Sequence, residues 1–315
     1  MKLHIYIVVL LIVAALPGSV HAQTVGVEIK PELNTVYAKP GSTVTIPIVF
    51  KNTGNQGSFV AQGVALLPQG TRGTLAPTRE LPRGLSIESG IAELFFLPTG
   101  AEKKFEMVIA IDPRLAARDY YLGLQVTSVG KKRSEGNSSI ALDLSVMSTV
   151  LLTVTNDGSM EISGYINSLN TGKVSGVRFF ESTQDVPLQL VMHNSGNNWT
   201  YVSGTITVSS LFGEKKVIQI PQQRVLANSK RLMRSTQMTT PEHTTILSGM
   251  HVGKYTVTAR MAIEGKNTMA TKTITFIGFP FRLLGALSLL GIVAIFIGAR
   301  ANRHHLPRQV HPHQL

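Results

Sequence analysis

The chain has 315 residues, a length that suits two modules plus targeting segments better than one domain. It contains no cysteine, which excludes a disulfide framework, thiolate metal sites and a cysteine nucleophile. The formal net charge of +12 raises nucleic acid as a partner, but all 18 acidic residues and 25 of the 30 Lys and Arg lie between Glu28 and Lys272, and the remaining cations, Lys2, Arg282, Arg300, Arg303 and Arg308, flank apolar segments. A mildly basic middle of this kind suits anionic wall polymers or lipid headgroups, or serves solubility alone, and does not point to nucleic acid.

Residues 1–22 read as a signal peptide. Lys2 and His4 open it, Ile5–Leu16 is an apolar run of 12 residues, and Pro17-Gly18 breaks the helix. Val20-His21-Ala22 then offers small residues where a signal peptidase inspects the chain, so cleavage would leave Gln23 first. The run is short for a bilayer span, which places an uncleaved signal anchor second.

Between Gln23 and about Phe276 the chain alternates with a period of two in many places. Val44, Ile46, Ile48 and Phe50 share one face while Thr43, Thr45 and Pro47 share the other. Phe105, Met107, Ile109 and Ile111 repeat the pattern, as do Val186, Leu188, Leu190 and Met192, and then Tyr255, Val257, Ala259, Met261 and Ile263. Such segments bury one face and wet the other. Turn residues punctuate them at Lys39-Pro40-Gly41, Asn52–Asn55, Leu97–Gly100 and Asn194–Asn197. Short strands with frequent turns predict an all-β sandwich or barrel. Pro47 and Pro187 fall inside strand patterns and predict edge strands or bulges there.

The pattern occurs twice. Ile46–Asn55 (IPIVFKNTGN) matches Leu188–Asn197 (LQLVMHNSGN) at an offset of 142 residues. A tyrosine opens a strand near the end of each half, at Asp119-Tyr120-Tyr121 and at Gly253-Lys254-Tyr255. The expected fold is therefore two tandem Ig-like β-sandwich domains, at 23–156 and 157–276, with the boundary near Asn156–Ser159. Lys131–Ser139 reads as a polar hairpin tip.

Leu283–Gly298 is an uninterrupted apolar stretch of 16 residues, extended outward by Phe276, Ile277, Phe279 and Phe281. It predicts a transmembrane helix at 277–299 and a basic cytoplasmic tail at 300–315. Arg282 would snorkel to the outer headgroups, and Arg300, Arg303 and Arg308 mark the cytoplasmic side. Signal peptide and stop-transfer pattern together predict a single-pass type I protein of the cell membrane, with its modules extracellular. Gly291, Ala294 and Gly298 fall near one helical face and would let two helices approach, or are small residues common in spans. His304, His305, His311 and His313 sit in the tail. Without a carboxylate nearby, and with Pro312 between two of them, they read as a flexible tail before they read as a metal site.

No P-loop, HExxH, GxSxG or dinucleotide fingerprint is present. Ser128-Val129-Gly130-Lys131 matches SxxK, a serine-acylase start, but lies in a strand-to-loop pattern and has no SDN or KTG companion. Asp112 and Asp119 flank Pro113 and read as turn caps before they read as a calcium loop. Neither catalysis, nor a cofactor, nor a metal is expected. Asn137-Ser138-Ser139 and Asn198-Trp199-Thr200 are formal glycosylation sequons. Trp199, the single tryptophan, is either a core ring or an exposed anchor. Lys230, Arg231 and Arg234 form the densest positive cluster of the middle region and, with Trp199, are the candidate partner-binding residues.

Tyr37–Val44 (YAKPGSTV), Asn52-Thr53-Gly54 and Phe96–Tyr121, where FLPTGAEKKFEMVIAIDP precedes a Tyr-Tyr-x-Gly turn, resemble the N-terminal domain of WxL-interacting proteins of bacterial surfaces. The resemblance implies peptidoglycan binding by the first module and partner binding by the second. The second module is similar to that of two-sandwich membrane proteins of bacteria with reduced genomes, through Asn194–Asn197, Gly204–Val208, Leu211-Phe212-Gly213, Val225–Arg231, Gly253-Lys254-Tyr255 and Phe279-Pro280-Phe281. The partners so implied are the lipid bilayer, peptidoglycan or an anionic wall polymer, and a surface protein. A structural subunit of an envelope complex, assembled through edge strands and the membrane helix, is the alternative.

Overall fold

The computed structural model describes residues 26–78, 80–88, 94–129, 144–172, 178–237 and 240–303. The expected signal peptide, the polar tip with its sequon at Asn137, the tail histidines and Arg308 lie outside those residues. Among the described residues the chain is mostly β-strand and carries one apolar helix. It divides into two compact units, Met1–Leu67 with Pro77–Ser159, and Pro68–Ala76 with Met160–Leu315.

The strands before Met160 are β1 (Val27–Lys30), β2 (Leu33–Ala38), β3 (Thr43–Asn52), β4 (Gly57–Gln69), β5 (Thr74–Thr78), β6 (Leu85–Glu88), β7 (Leu94–Leu97), β8 (Glu102–Ile111), β9 (Asp119–Val129) and β10 (Ser145–Val154). One sheet has the order β1-β3-β8-β6; the other runs β2-β10-β9-β4-β5, with β7 added to β4. Both sheets turn their apolar faces into one core, where Ile48, Phe50, Ile109, Leu122, Val150 and Leu152 are fully buried. Each such side chain contributes about 1.5–3 kcal/mol by leaving water. Phe50, Phe59, Phe95 and Phe105 form an aromatic cluster with ring centroids 5.0–6.0 Å apart. At the start of β9 the Tyr120 hydroxyl donates to the Ala116 carbonyl at 3.0 Å, the tyrosine-corner arrangement of Ig-type sandwiches.

The later strands are β11 (Gly164–Asn170), β12 (Arg178–Glu181), β13 (Val186–Asn194), β14 (Thr200–Ser210), β15 (Lys215–Val225), β16 (Ser229–Leu232), β17 (Thr245–Leu247), β18 (Gly253–Ile263) and β19 (Met269–Phe279). They form β11-β13-β16, with β17 also on β13, and β12-β19-β18-β14-β15, again around one core. The second sheet of each unit follows the same plan. A short first strand pairs in parallel with the last (β2 on β10, β12 on β19), and the last pairs with its predecessor, which pairs with the strand of the long hairpin. The offset seen in the sequence thus joins topologically equivalent strands, β3 and β13.

Pro47 and Pro187 occupy internal strands, β3 and β13, where the sequence predicts edge strands or bulges. β1 pairs with β3 only from Val49 to Asn52, so Pro47 has a neighbour, Glu106, on one side alone. Pro187 faces Ile246 and lies beyond the last β11 partner of its strand, Gln189. A residue without an N–H is tolerated there because that side of the ladder has already ended.

The helix α1 spans Phe281–Arg303. Two expected limits move. Residues 277–279 close β19 instead of opening the helix, because Phe276 to Gly278 remain paired with Tyr255 to Gly253. At the other end the helix continues through Arg300 to Arg303, which sequence reading assigned to the tail. Pro280 marks the switch: it cannot donate to the ladder, and its carbonyl accepts the first helical bond, from the Leu284 N–H at 3.1 Å. The apolar part, Phe281–Gly298, is long and apolar enough to cross a membrane.

Candidate functional site

The candidate site grows from a buried amide. Asn194, 2% exposed, ends β13. Its Oδ1 accepts from the Gly196 N–H at 2.9 Å, and its Nδ2 donates to the carbonyls of Asn198 (2.8 Å) and Val225 (3.2 Å). The first bond closes an Asx turn; the other two clamp the approach to β14 against the end of β15. The link from β15 to β16 is held on the same turn, with the Asn228 N–H donating to the Gly196 carbonyl at 3.2 Å. Asn228 takes φ of 51°, a left-handed conformation that asparagine tolerates.

This clamp brings Trp199 and Arg224 together. Trp199 is buried, its ring edge-on to Tyr201 at 5.2 Å. Of the two placements weighed from sequence, the indole occupies the buried one and is not an exposed anchor. The Arg224 guanidinium lies 4.5 Å from the Trp199 ring centroid and 5.3 Å from that of Tyr201, and its Nη2 donates to the Tyr201 hydroxyl at 2.9 Å. Nε and Nη1 of Arg224 are buried and make no hydrogen bond among the described residues.

Arg231 joins this cluster by donating from Nη1 to the Arg224 carbonyl at 2.7 Å. Its pKa lies below the usual arginine range, first because burial penalises the charge, then because Arg234 and Arg224 add positive charge beside it. Arg234 is exposed, its backbone pinned by Gln223: the Gln223 Oε1 accepts from the Arg234 N–H at 3.0 Å and the Gln223 Nε2 donates to the Arg234 carbonyl at 2.7 Å. None of these three arginines takes part in an ion pair among the described residues. Lys230 alternates to the other side of β16, pairing with His193, whose ring nitrogen meets the Tyr165 hydroxyl at 2.9 Å. The structure therefore gathers Arg231, Arg234 and Trp199, adds Arg224 and Tyr201, which sequence reading missed, and leaves Lys230 apart.

The other singled-out residues have structural partners. Ser128 lies in β9, and its Oγ accepts from the Leu144 N–H at 2.9 Å, so it sits in a strand and not at a helix start. Asp112 caps its turn by accepting from the Arg114 N–H at 2.7 Å, and Asp119 accepts from the Thr153 hydroxyl at 2.8 Å. Asn198, of the second sequon, is 3% exposed and accepts from the Glu161 N–H at 2.8 Å, which puts its amide out of reach of a modifying enzyme. Among the described residues no group of three or more His, Asp or Glu side chains is placed to hold a metal. On α1, Arg282 and Arg300 are exposed, Gly291 and Gly298 face open space, Ala294 is exposed, and Arg303 is the last helical residue.

No protein-family model matches the chain. No curated protein sequence matches it either. Partial likenesses occur among solved structures. The class 5 fimbriae chaperone CfaA is 12% identical with a TM-score of 0.37, covering 81% of this chain and 100% of that one. A chain of the CsuC–CsuE chaperone–tip adhesion subunit pre-assembly complex of Acinetobacter baumannii is 10% identical with a TM-score of 0.38, covering 81% and 99%. A chain of the Salmonella enterica SafA pilin in complex with the SafB chaperone is 10% identical with a TM-score of 0.36, covering 80% and 98%.

Proposed function

We propose that this chain is a non-enzymatic surface protein, anchored in the cell membrane by α1, whose two Ig-like sandwich modules hold an anionic partner as an adhesin or scaffold. The modules face outward and Arg300 and Arg303 face the cytoplasm, since positive charge beside a span stays inside. The observation that carries the binding assignment is the convergence of Arg224, Arg231 and Arg234, none of which takes part in an ion pair among the described residues. Burial and mutual repulsion both disfavour the Arg231 charge, and the attraction of an anion docked on the cluster offsets them. The resemblance to WxL-interacting proteins implies peptidoglycan binding by the first module and partner binding by the second, which carries the cluster; an anionic wall polymer fits the same positive charge. An acidic patch on a surface protein has the same chemistry.

Assembly through edge strands has less support at β15. That edge opens with Lys215 and Lys216, contains Pro221, and carries a bulge, since Val202 pairs with Gln223 but Gly204 pairs with Ile220. These features blunt an edge against strand addition.

The test is retention of the full-length protein, in detergent, on purified cell walls and on an immobilised polyphosphate. We expect salt-sensitive retention that the double variant Arg231→Gln, Arg234→Gln largely loses. Equal retention of the double variant and the native chain would remove the cluster from the binding assignment. Extraction of α1-bearing protein from membranes by alkaline carbonate would remove the anchor.

A further inference from the structure

One end of the second unit exposes a row of large apolar side chains around the start of α1. The strand ends converge there. Ser210 at the end of β14 pairs with Tyr255, and the Leu211 N–H donates to the Lys254 carbonyl at 3.0 Å. Gly253, at the start of β18, pairs with Gly278 near the end of β19, and the Phe212 ring passes so close that a Cβ on Gly253 would lie 3.3 Å from it. Pro280 alone separates β19 from α1, and the Arg282 N–H is bonded to Glu181 at the end of β12 at 3.1 Å. The turn Leu211-Phe212, the loop Met250–Val252 and the junction Phe279–Phe281 are thus neighbours at the end of the sheet from which the helix leaves.

These positions are exposed to an extent that water does not favour. Leu211 is 71% exposed, Phe212 73%, Met250 72%, Phe279 42% and Phe281 50%. The backbone holds them there. A Cβ at Gly278 would overlap the His251 carbonyl, whose own N–H donates to the Ser182 carbonyl at 2.7 Å, so the loop carrying Met250 is fastened to the sheet end. Charges lie on the same strand ends: Lys215 and Lys216 open β15 after Glu214, whose N–H donates to the Ser210 hydroxyl, Lys254 follows Gly253 in β18, and Glu181 accepts from the Arg282 N–H.

We propose that this end of the unit is a lipid-contact rim, seated in the outer headgroup layer of the same bilayer that α1 crosses. The inference rests on the reading of α1 as a membrane span. The uninterrupted apolar stretch Leu283–Gly298 has 16 residues and covers about 24 Å, less than a hydrocarbon core of about 30 Å. The rim supplies the missing apolar surface on the outer side, where aromatic rings are favoured at the interface. Leu211, Phe212 and Met250 enter the boundary layer to roughly 5–10 Å, the depth at which amphipathic surfaces sit. Lys215, Lys216 and Lys254 then stand at the level of the lipid phosphates. Two attachments, helix and rim, restrict the tilt of this unit against the membrane, which one flexible tether does not.

The absence of cysteine makes the test direct, because a single introduced thiol labels one site. Full-length Phe212→Cys, Met250→Cys, Ile292→Cys and Asn267→Cys variants, each carrying an environment-sensitive fluorophore, are reconstituted in phosphatidylcholine–phosphatidylglycerol vesicles. Asn267 lies in the turn at the opposite end of the sheet. Lipids with a nitroxide near the headgroup are expected to quench most of the emission at 212 and 250 and none at 267, while a nitroxide deep in the chain quenches at 292. Water-like, unquenched signals at both 212 and 250 with deep quenching at 292 overturn the rim and leave the span standing. A water-like signal at 292 overturns the span and the rim with it.

Discussion

Asn52 and Asn194, 142 positions apart in the chain, make corresponding hydrogen bonds at the same place in their units. Each is buried at the end of the equivalent strand, accepts from the N–H two residues on (Gly54 at 3.1 Å, Gly196 at 2.9 Å), and donates to carbonyls of the following loop and of a distant strand end. For Asn52 the distant acceptor is Leu97 at 3.1 Å; for Asn194 it is Val225 at 3.2 Å. One amide thus closes a turn and ties it to a segment that the chain reaches much later.

Replacing either asparagine by alanine leaves buried carbonyls without donors. Asn52→Ala and Asn194→Ala are each expected to cost about 2–3 kcal/mol. Asn→Asp at the same positions should be at least as damaging, because it keeps the acceptor and removes the donors. Urea unfolding of the full chain in detergent checks both.

Arg224→Ala removes the guanidinium that lies against Trp199. The loss of the cation–π contact is expected to cost about 1–2 kcal/mol. Because Trp199 is the single tryptophan, all indole emission reports this contact, and the variant should emit at longer wavelength as water reaches the ring.

Arg231→Gln separates binding from stability. Burial and two neighbouring cations oppose the Arg231 charge, so a neutral side chain should leave stability unchanged or raise it. Affinity for the polyanion should nonetheless fall about tenfold, the worth of one charge-assisted bond. Thermal unfolding and retention on immobilised polyphosphate, measured on the same preparation, are expected to move in these different directions.

Asp157 sits in a hydrogen-bonded turn, where the Ser159 hydroxyl donates to Oδ1 at 2.6 Å and the Ser159 N–H donates at 2.9 Å. Those bonds hold its carboxyl below the ordinary value of 3.8. With the folded pKa depressed, the stabilisation is present above the unfolded value and is lost as pH falls through the folded one, below about pH 3.8. Carboxylate titration by NMR should show a midpoint under 3.8 that rises towards it in Ser159→Ala.

Much of the architecture was legible along the chain because it rests on local, periodic physics. Alternation at Val44–Phe50 and at Tyr255–Ile263 told which side chains turn inward, since a strand has a period of two whatever it pairs with. The repeated turn at Asn52 and Asn194 announced equivalent strands, and the apolar stretch after Pro280 announced the helix. The candidate cluster was legible only in part. Arg231 and Arg234 are close in sequence and stood out as a positive cluster; Arg224 and Tyr201 did not. Counting back through the hairpin from the turn at Phe212 places Arg224 opposite Thr200, on the other face of the sheet. The bulge between Val202 and Gly204 shifts the register by one, so that Arg224 pairs with Tyr201 instead. A one-residue slip turns every later side chain over. Alternation along one strand cannot reveal it, because the slip belongs to the pairing of two strands and to the packing that selects it.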